Sequence, residues 1–233
     1  MITIDQLVKR RGSRTVLDQV GFVARPGRVT AFLGPNGAGK SSTLRILLGL
    51  DRADGGRALF GGRPYGALSE PLRMVGSMLD GSGAHRSRTA RSHLAWVARS
   101  NGIPQRRVEE VLAEVGLADD ARGPVAKYSL GMGQRLGIAA ALLGEPETLV
   151  LDEPVNGLDP EGIRWIRGLL RDRADAGGTV LLSSHLMSEV ADVADDLVVI
   201  ANGRIVATGT VVDVTAGYAD LEEAFFALTG VTR

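Results

Sequence analysis

The chain has 233 residues, 44% of them apolar, and its 27 basic and 27 acidic side chains cancel to a formal charge of zero. That length and apolar content are enough for one large domain or two small ones with a real core, while the charge balance removes any whole-molecule electrostatic case for nucleic acid as a partner. There is no cysteine, which excludes a disulfide framework, a thiolate metal site and a cysteine nucleophile.

The first residues lack a basic segment followed by an apolar one, so no signal peptide is expected. Apolar runs such as residues 136–143 fall far short of the roughly 20 residues that a spanning helix needs. The expectation is a soluble, cytoplasmic chain that reaches a membrane only through another subunit.

In chain order, residues 2–7 and 15–23 read as two strands joined by a basic turn over residues 9–14. Pro26-Gly27 turns the chain into an apolar strand over 29–33, and an apolar helix follows from Thr43. Between them lies Gly34-Pro35-Asn36-Gly37-Ala38-Gly39-Lys40-Ser41-Ser42. Strand, glycine-rich turn and helix form the setting of a phosphate-binding P-loop. Glycines let successive backbone N–H groups converge on one point, and the helix N-terminus adds partial positive charge there. Lys40 then reaches the β- and γ-phosphates of a nucleotide, and the Ser41 hydroxyl ligates Mg²⁺. Lys9, Lys40 and Lys127 are the only lysines in an arginine-rich chain. A compact ammonium suits a narrow phosphate cradle better than a planar fork.

A loop over 51–56 leads to short strands at 58–60 and 74–76. From Arg88 to about Gly144 the periodicity is helical, with Pro104 where a second helix begins. Strand and helix then alternate: strand 148–151, helix 162–176, strand 179–182, short helix 187–193, strands 197–200 and 204–206. Continuous apolar strands point to a parallel sheet covered on both faces, with the middle helices inserted into an α/β core. The strand 148–151 ends in Asp152-Glu153. At the carboxyl edge of such a sheet, beside the P-loop, Asp152 can hold Mg²⁺ directly or through water. Glu153 is left to polarise an attacking water.

Tyr128-Ser129-Leu130-Gly131-Met132-Gly133-Gln134-Arg135-Leu136 resembles the signature, usually written LSGGQ, of ATP-binding-cassette (ABC) transporters. Almost the whole chain is similar to the nucleotide-binding subunit of that family. The resemblance implies a fold class: α/β, a P-loop NTPase core with a mostly parallel sheet, an antiparallel β subdomain and an inserted helical subdomain. It further implies one ABC ATPase domain over residues 1–233, with the insertion at approximately 86–144. The cofactors implied are ATP and Mg²⁺. The implied partners are a second nucleotide-binding subunit, most simply in a homodimer, and separate transmembrane permease subunits that hold the chain at the cytoplasmic face of the plasma membrane.

In that family the signature starts a helix aimed at the γ-phosphate bound by the neighbouring subunit, a role that falls here on Ser129 and Gly131. Leu130 and Met132 depart from the usual glycine and glutamine, so phosphate contact rests on Ser129, Gly131 and the backbone. Asn156-Gly157-Leu158-Asp159 resembles the D-loop that runs across the dimer interface, and His185 resembles the switch histidine that steadies the attacking water. Asp80 stands where the family usually has a glutamine, within water-mediated reach of Mg²⁺ and beside the catalytic Glu153. Arg11 replaces an aromatic residue that stacks on adenine; arginine can also stack on a π-face. His85 and His93 are assigned no role.

The resemblance implies ATP hydrolysis powering a transporter. The form of the signature and the tail at 221–230 are similar to those of bacterial exporters of drugs, antibiotics or other amphipathic molecules. The alternative is a catalytically weak ATP-binding regulatory module of a membrane complex. Asp80 and the altered signature favour the alternative, whereas intact Lys40, Ser41, Asp152, Glu153 and His185 favour the active enzyme. Residues 80–101 are where such families dock a permease, but a core position is expected for Trp96.

Overall fold

The structure, a computed structural model, describes residues 1–79, 81–185 and 187–230, with the backbone alone at 188 and 189. The first part of the chain forms β1 (Ile2–Arg11), β2 (Arg14–Ala24), β3 (Arg28–Leu33), α1 (Lys40–Leu47) and β4 (Gly55–Phe60). Then come α2 (Pro71–Met74), β5 (Val75–Met78), α3 (Ala90–Ser100), α4 (Arg106–Glu114), α5 (Leu130–Leu142) and β6 (Thr148–Asp152). The last part forms α6 (Pro160–Asp175), β7 (Thr179–Ser184), α7 (Met187–Ala191), β8 (Asp196–Ala201), β9 (Arg204–Thr210), α8 (Val211–Thr215) and α9 (Leu221–Thr229). These elements gather into two compact units, Met1–Ser69 with Arg167–Arg233 and Glu70–Ile166.

The first unit holds an antiparallel sheet in the order β2-β1-β4 and a run of strands β7-β3-β8-β9. Pairing is parallel for β3 with β7 and with β8, and antiparallel for β8 with β9. Residues of β7 and β8 are buried throughout, as unbroken apolar strands covered on both faces must be. Register matters for function. Leu33, the last residue of β3, is level with Ser184, the last of β7, so the segments that follow both strands leave from the same carboxyl edge. At the other edge Arg28 donates to both Asp196 oxygens at 2.6 and 2.8 Å, and Arg171 to Asp195 at 2.9 and 3.0 Å. The Arg28 pair is bidentate, two nitrogens to two oxygens, and ties the start of β3 to that of β8, while Arg171 Nη1, shared between both Asp195 oxygens, ties α6 to the residue before β8.

Two elements differ from expectation. Pairing of β1 with β2 runs on to Arg11↔Arg14, so the basic stretch is mostly strand and the turn shrinks to Gly12-Ser13. The loop after α1 explains it: Asp51 takes Lys9 at 3.1 Å and Asp54 accepts the Arg10 N–H at 2.6 Å, which removes the repulsion that would splay the ladder. The tail also folds into α9, where Asp220 accepts the Glu223 N–H at 2.8 Å as N-cap and Leu221, Ala224 and Phe225 are buried. That i, i+3, i+4 spacing was present in the sequence.

The second unit pairs β5 with β6 in parallel and carries α3, α4 and α5. Close packing of α5 on β5 depends on missing side chains. A Cβ on Gly76 would lie 2.0 Å from the Ala141 carbonyl oxygen, and one on Gly137 would lie 2.6 Å from Met78 Sδ. Helix α3 buries Ala90, His93, Leu94 and Ala98. Trp96 lies off that stripe, 55% exposed, with the Arg88 guanidinium 5.1 Å from the ring centroid. The expected core position of Trp96 is therefore wrong: the i, i+3, i+4 face was complete without it.

His93 is 7% exposed. Its burial, and secondarily the Arg88 charge, push its pKa below the ordinary histidine value. The unfolded chain takes up a proton near pH 6.5 that the folded chain refuses, so this residue's contribution to stability falls as pH drops below that value. Thermal melts at pH 7.5 and 5.5 should show a smaller acid-induced loss for His93→Gln than for the wild type.

Candidate nucleotide site

In the first unit the chain leaves β3 through Gly34, where a Cβ would lie 2.5 Å from the Ile200 carbonyl oxygen of β8. Only glycine passes so close to another backbone. The loop closes through Ala38 N–H to the Pro35 carbonyl at 3.1 Å and is anchored by Gly203 N–H to the Ala38 carbonyl at 3.0 Å. Gly37 (φ 79°) and Gly39 (φ 118°) hold left-handed backbone, and Asn36 and Gly37 form its exposed tip. Gly39 is the N-cap of α1 and offers no side-chain acceptor, and there is no acid in the first turn. A helix start of that kind suits an anion.

Lys40 is 7% exposed and its ammonium donates to the Gly34 carbonyl at 2.6 Å, so the charge is held inside the loop. Ser41 is exposed and Ser42 half-buried, while Thr43 Oγ1 ties back to the Gly39 carbonyl at 3.0 Å. His185 directly follows β7 and is exposed, at the edge where the loop after β3 also emerges. Arg11 ends β1, exposed, with its guanidinium 3.4 Å from Asp51. The Lys9 hydrogen bond is the main reason that the Asp51 carboxyl is held below the usual range.

The second unit carries the acidic and signature segments. Asp152 is the last residue of β6, half-buried. Glu153 follows with φ 50°, a left-handed conformation that is uncommon outside glycine and typically costs of the order of 1–3 kcal/mol. Its carbonyl accepts from Gln134 Nε2 at 2.8 Å, which fixes the turn that carries the carboxylate.

Ser129 is the N-cap of α5, exposed, and its Oγ accepts the Met132 N–H at 3.2 Å. Leu130 is 72% exposed. A Cβ on Gly131 would lie 2.8 Å from the Gly157 carbonyl oxygen, so the turn that opens α5 packs directly on the 156–159 loop. Asp159 accepts the Gly162 N–H at 2.8 Å near the start of α6. Asp80 lies outside the described residues. Sequence reading gave no role to Gln134, Arg135 or Trp165. The one available signal was that the first two continue the signature toward the α5 interior.

A glycine-rich loop between a buried parallel strand and a helix, with a buried lysine at the helix start, defines a nucleotide-binding α/β protein of the P-loop class. The model of the ABC transporter family matches residues 17–156. A lantibiotic transport ATP-binding protein of Streptococcus pyogenes is 38% identical over 206 residues, which cover 88% of this chain and 89% of that one. A bacitracin transport ATP-binding protein of Bacillus licheniformis is 40% identical over 208 residues, covering 88% and 68%. A solved ATP-binding subunit of an ABC transporter superposes with a TM-score of 0.88 at 28% identity, covering 98% and 99%. A dimeric cassette in a post-hydrolysis state with ADP and phosphate shares the fold, with a TM-score of 0.81 at 20% identity, covering 90% and 98%. The chain belongs to the ABC transporter family, as an ATP-binding cassette of its ATPase type.

Proposed function

We propose that two copies of this chain close on two ATP molecules and that hydrolysis reopens them, passing the motion to separate transmembrane permease subunits at the cytoplasmic face of the plasma membrane. The cargo class is an antibiotic, drug or other amphipathic molecule leaving the cell. The lantibiotic and bacitracin transport proteins at 38% and 40% identity support that class. No helix among the described residues is long and apolar enough to cross a membrane.

The observation that carries the nucleotide part is the Lys40 ammonium held at 2.6 Å from the Gly34 carbonyl inside a loop of left-handed glycines. Within the loop from Gly34 to Ser42, Pro35 has no N–H and the Ala38 N–H is spent on the Pro35 carbonyl; the remaining backbone N–H groups, with Lys40, bind the phosphates. Ser41 and Asp152 supply the hard oxygen donors that Mg²⁺ prefers, with Asp80 as a further carboxylate. When bound, that ion neutralises charge on the phosphate oxygens. Glu153 acts as general base toward water and His185 steadies the water and the γ-phosphate. Ser129 and Gly131 face the neighbouring subunit's nucleotide, Asp159 lies at the subunit boundary, and Arg11 covers the base. Exposed Trp96, with Arg88 on its face, belongs to the permease-docking surface.

Lys40→Ala removes the one buried cation of the loop. Charge-assisted hydrogen bonds are worth about 1.5–3 kcal/mol, so affinity for a fluorescent ATP analogue should fall about 10- to 100-fold. Cells that depend on this cassette for export should become sensitive to the cargo. Wild-type affinity in the variant, or retained export, defeats the proposal.

A further inference from the structure

The turn that opens α5 and the 156–159 loop meet where neither backbone has room for a side chain. A Cβ on Gly131 would lie 2.8 Å from the Gly157 carbonyl oxygen, and one on Gly157 would lie 2.4 Å from Leu130 Cδ2. Further along α5, Arg135 stacks on Trp165 of α6 with 4.7 Å between the guanidinium carbon and the ring centroid. Its Nη1 donates to the Val115 carbonyl at 2.9 Å, and Trp165 Nε1 donates to the Glu114 carbonyl at 3.2 Å. These two carbonyls belong to the last turn and C-cap of α4, where a helix leaves acceptors unfilled. One guanidinium and one indole thus join the end of α4, the body of α5 and the start of α6. Asp159 caps the same start of α6 through Gly162.

We propose that Arg135 and Trp165 are positioning residues for hydrolysis. They fix the serine-capped turn at Ser129 against the loop that ends in Asp159, so that both are presented to the neighbouring subunit's nucleotide as one body. This rests on reading Ser129 as the residue that meets that nucleotide. Lysine cannot replace Arg135, because stacking on the indole while donating to a carbonyl requires a planar fork. Neither residue belongs to the phosphate loop, so their effect falls on turnover and not on ATP capture. A misplacement of about 1 Å costs on the order of a hundredfold in rate.

The test uses the purified chain with Mg-ATP. It compares Arg135→Lys, Trp165→Leu, Trp165→Phe and the double variant Arg135→Lys/Trp165→Leu with Ser129→Asp as reference. Arg135→Lys and Trp165→Leu should each lower kcat about 10- to 100-fold, with the dissociation constant for ATP within about twofold and the melting temperature within a few degrees of wild type. Trp165→Phe keeps the ring face and should recover most of the turnover. The double variant should be no slower than the slower single one, as expected for two residues acting as a unit. Wild-type kcat in Arg135→Lys, additive losses in the double variant, or a loss matched by weaker ATP binding and a lower melting temperature overturns the positioning role. If Ser129→Asp is inactive while Arg135→Lys is normal, the positioning role alone falls. If Ser129→Asp is also normal, the reading of the signature falls with it.

Discussion

Glu153→Gln should lower ATP turnover by about 10²–10⁴-fold, the range typical for loss of a positioned general base, while leaving ATP binding near wild type. Glu153 sits at φ 50° directly after β6, with its carbonyl held by Gln134 Nε2 at 2.8 Å. A non-glycine residue keeps such a conformation only when its surroundings over-determine it, and glutamine meets the same backbone demand as glutamate. The substitution therefore removes the proton acceptor and little else. Phosphate release measured with and without the permease separates the two readings of the chain. Equal rates for wild type and Glu153→Gln, both slow, would identify a regulatory module that binds ATP without using it. A large ratio establishes Glu153 as the base. Because binding survives while cleavage fails, the variant should also accumulate as an ATP-bound dimer, visible by size-exclusion chromatography.

Positions whose chemistry is dictated by backbone geometry were legible in the sequence. Gly34 faces the Ile200 carbonyl and Gly39 holds φ 118°, so glycine is obligatory there and the loop announces itself. Strands β3, β7 and β8 were legible because strands buried on both faces have no polar alternation to confuse the reading. What was not legible depends on partners distant in the chain. The residue types around Glu153 do not signal its left-handed backbone, because its carbonyl is held by Gln134, 19 residues earlier. The stacking of Arg135 on Trp165 joins two helices whose facing sides are set by packing. Trp96 was expected inside, yet the buried stripe of α3 was already filled by smaller residues. The extension of β1 to Arg11 depends on the loop after α1, where Asp51 pairs with Lys9 and Asp54 accepts the Arg10 N–H.

Ser129→Asp should abolish hydrolysis without loosening the fold, and that combination makes it the sharpest probe of the two-subunit clamp. Ser129 caps α5 by accepting the Met132 N–H at 3.2 Å. Aspartate caps a helix about as well as serine does, and a negative charge at a helix N-terminus is favourable. Stability should thus stay within about 0.5 kcal/mol of wild type. A carboxylate facing a γ-phosphate is another matter. Two like charges 4 Å apart near a protein surface repel by about 4 kcal/mol, equivalent to roughly a thousandfold in ATP-driven association. The exposed position of Ser129 means that this penalty appears only when a second subunit brings its nucleotide to the turn. The monomer should therefore bind ATP through Lys40 with wild-type affinity, while neither dimer nor phosphate release is observed. Mixing Ser129→Asp with Lys40→Ala should restore part of the activity, because the heterodimer has one clamp with an intact loop on one chain and an intact serine on the other. Wild-type hydrolysis by Ser129→Asp alone removes the clamp from the mechanism.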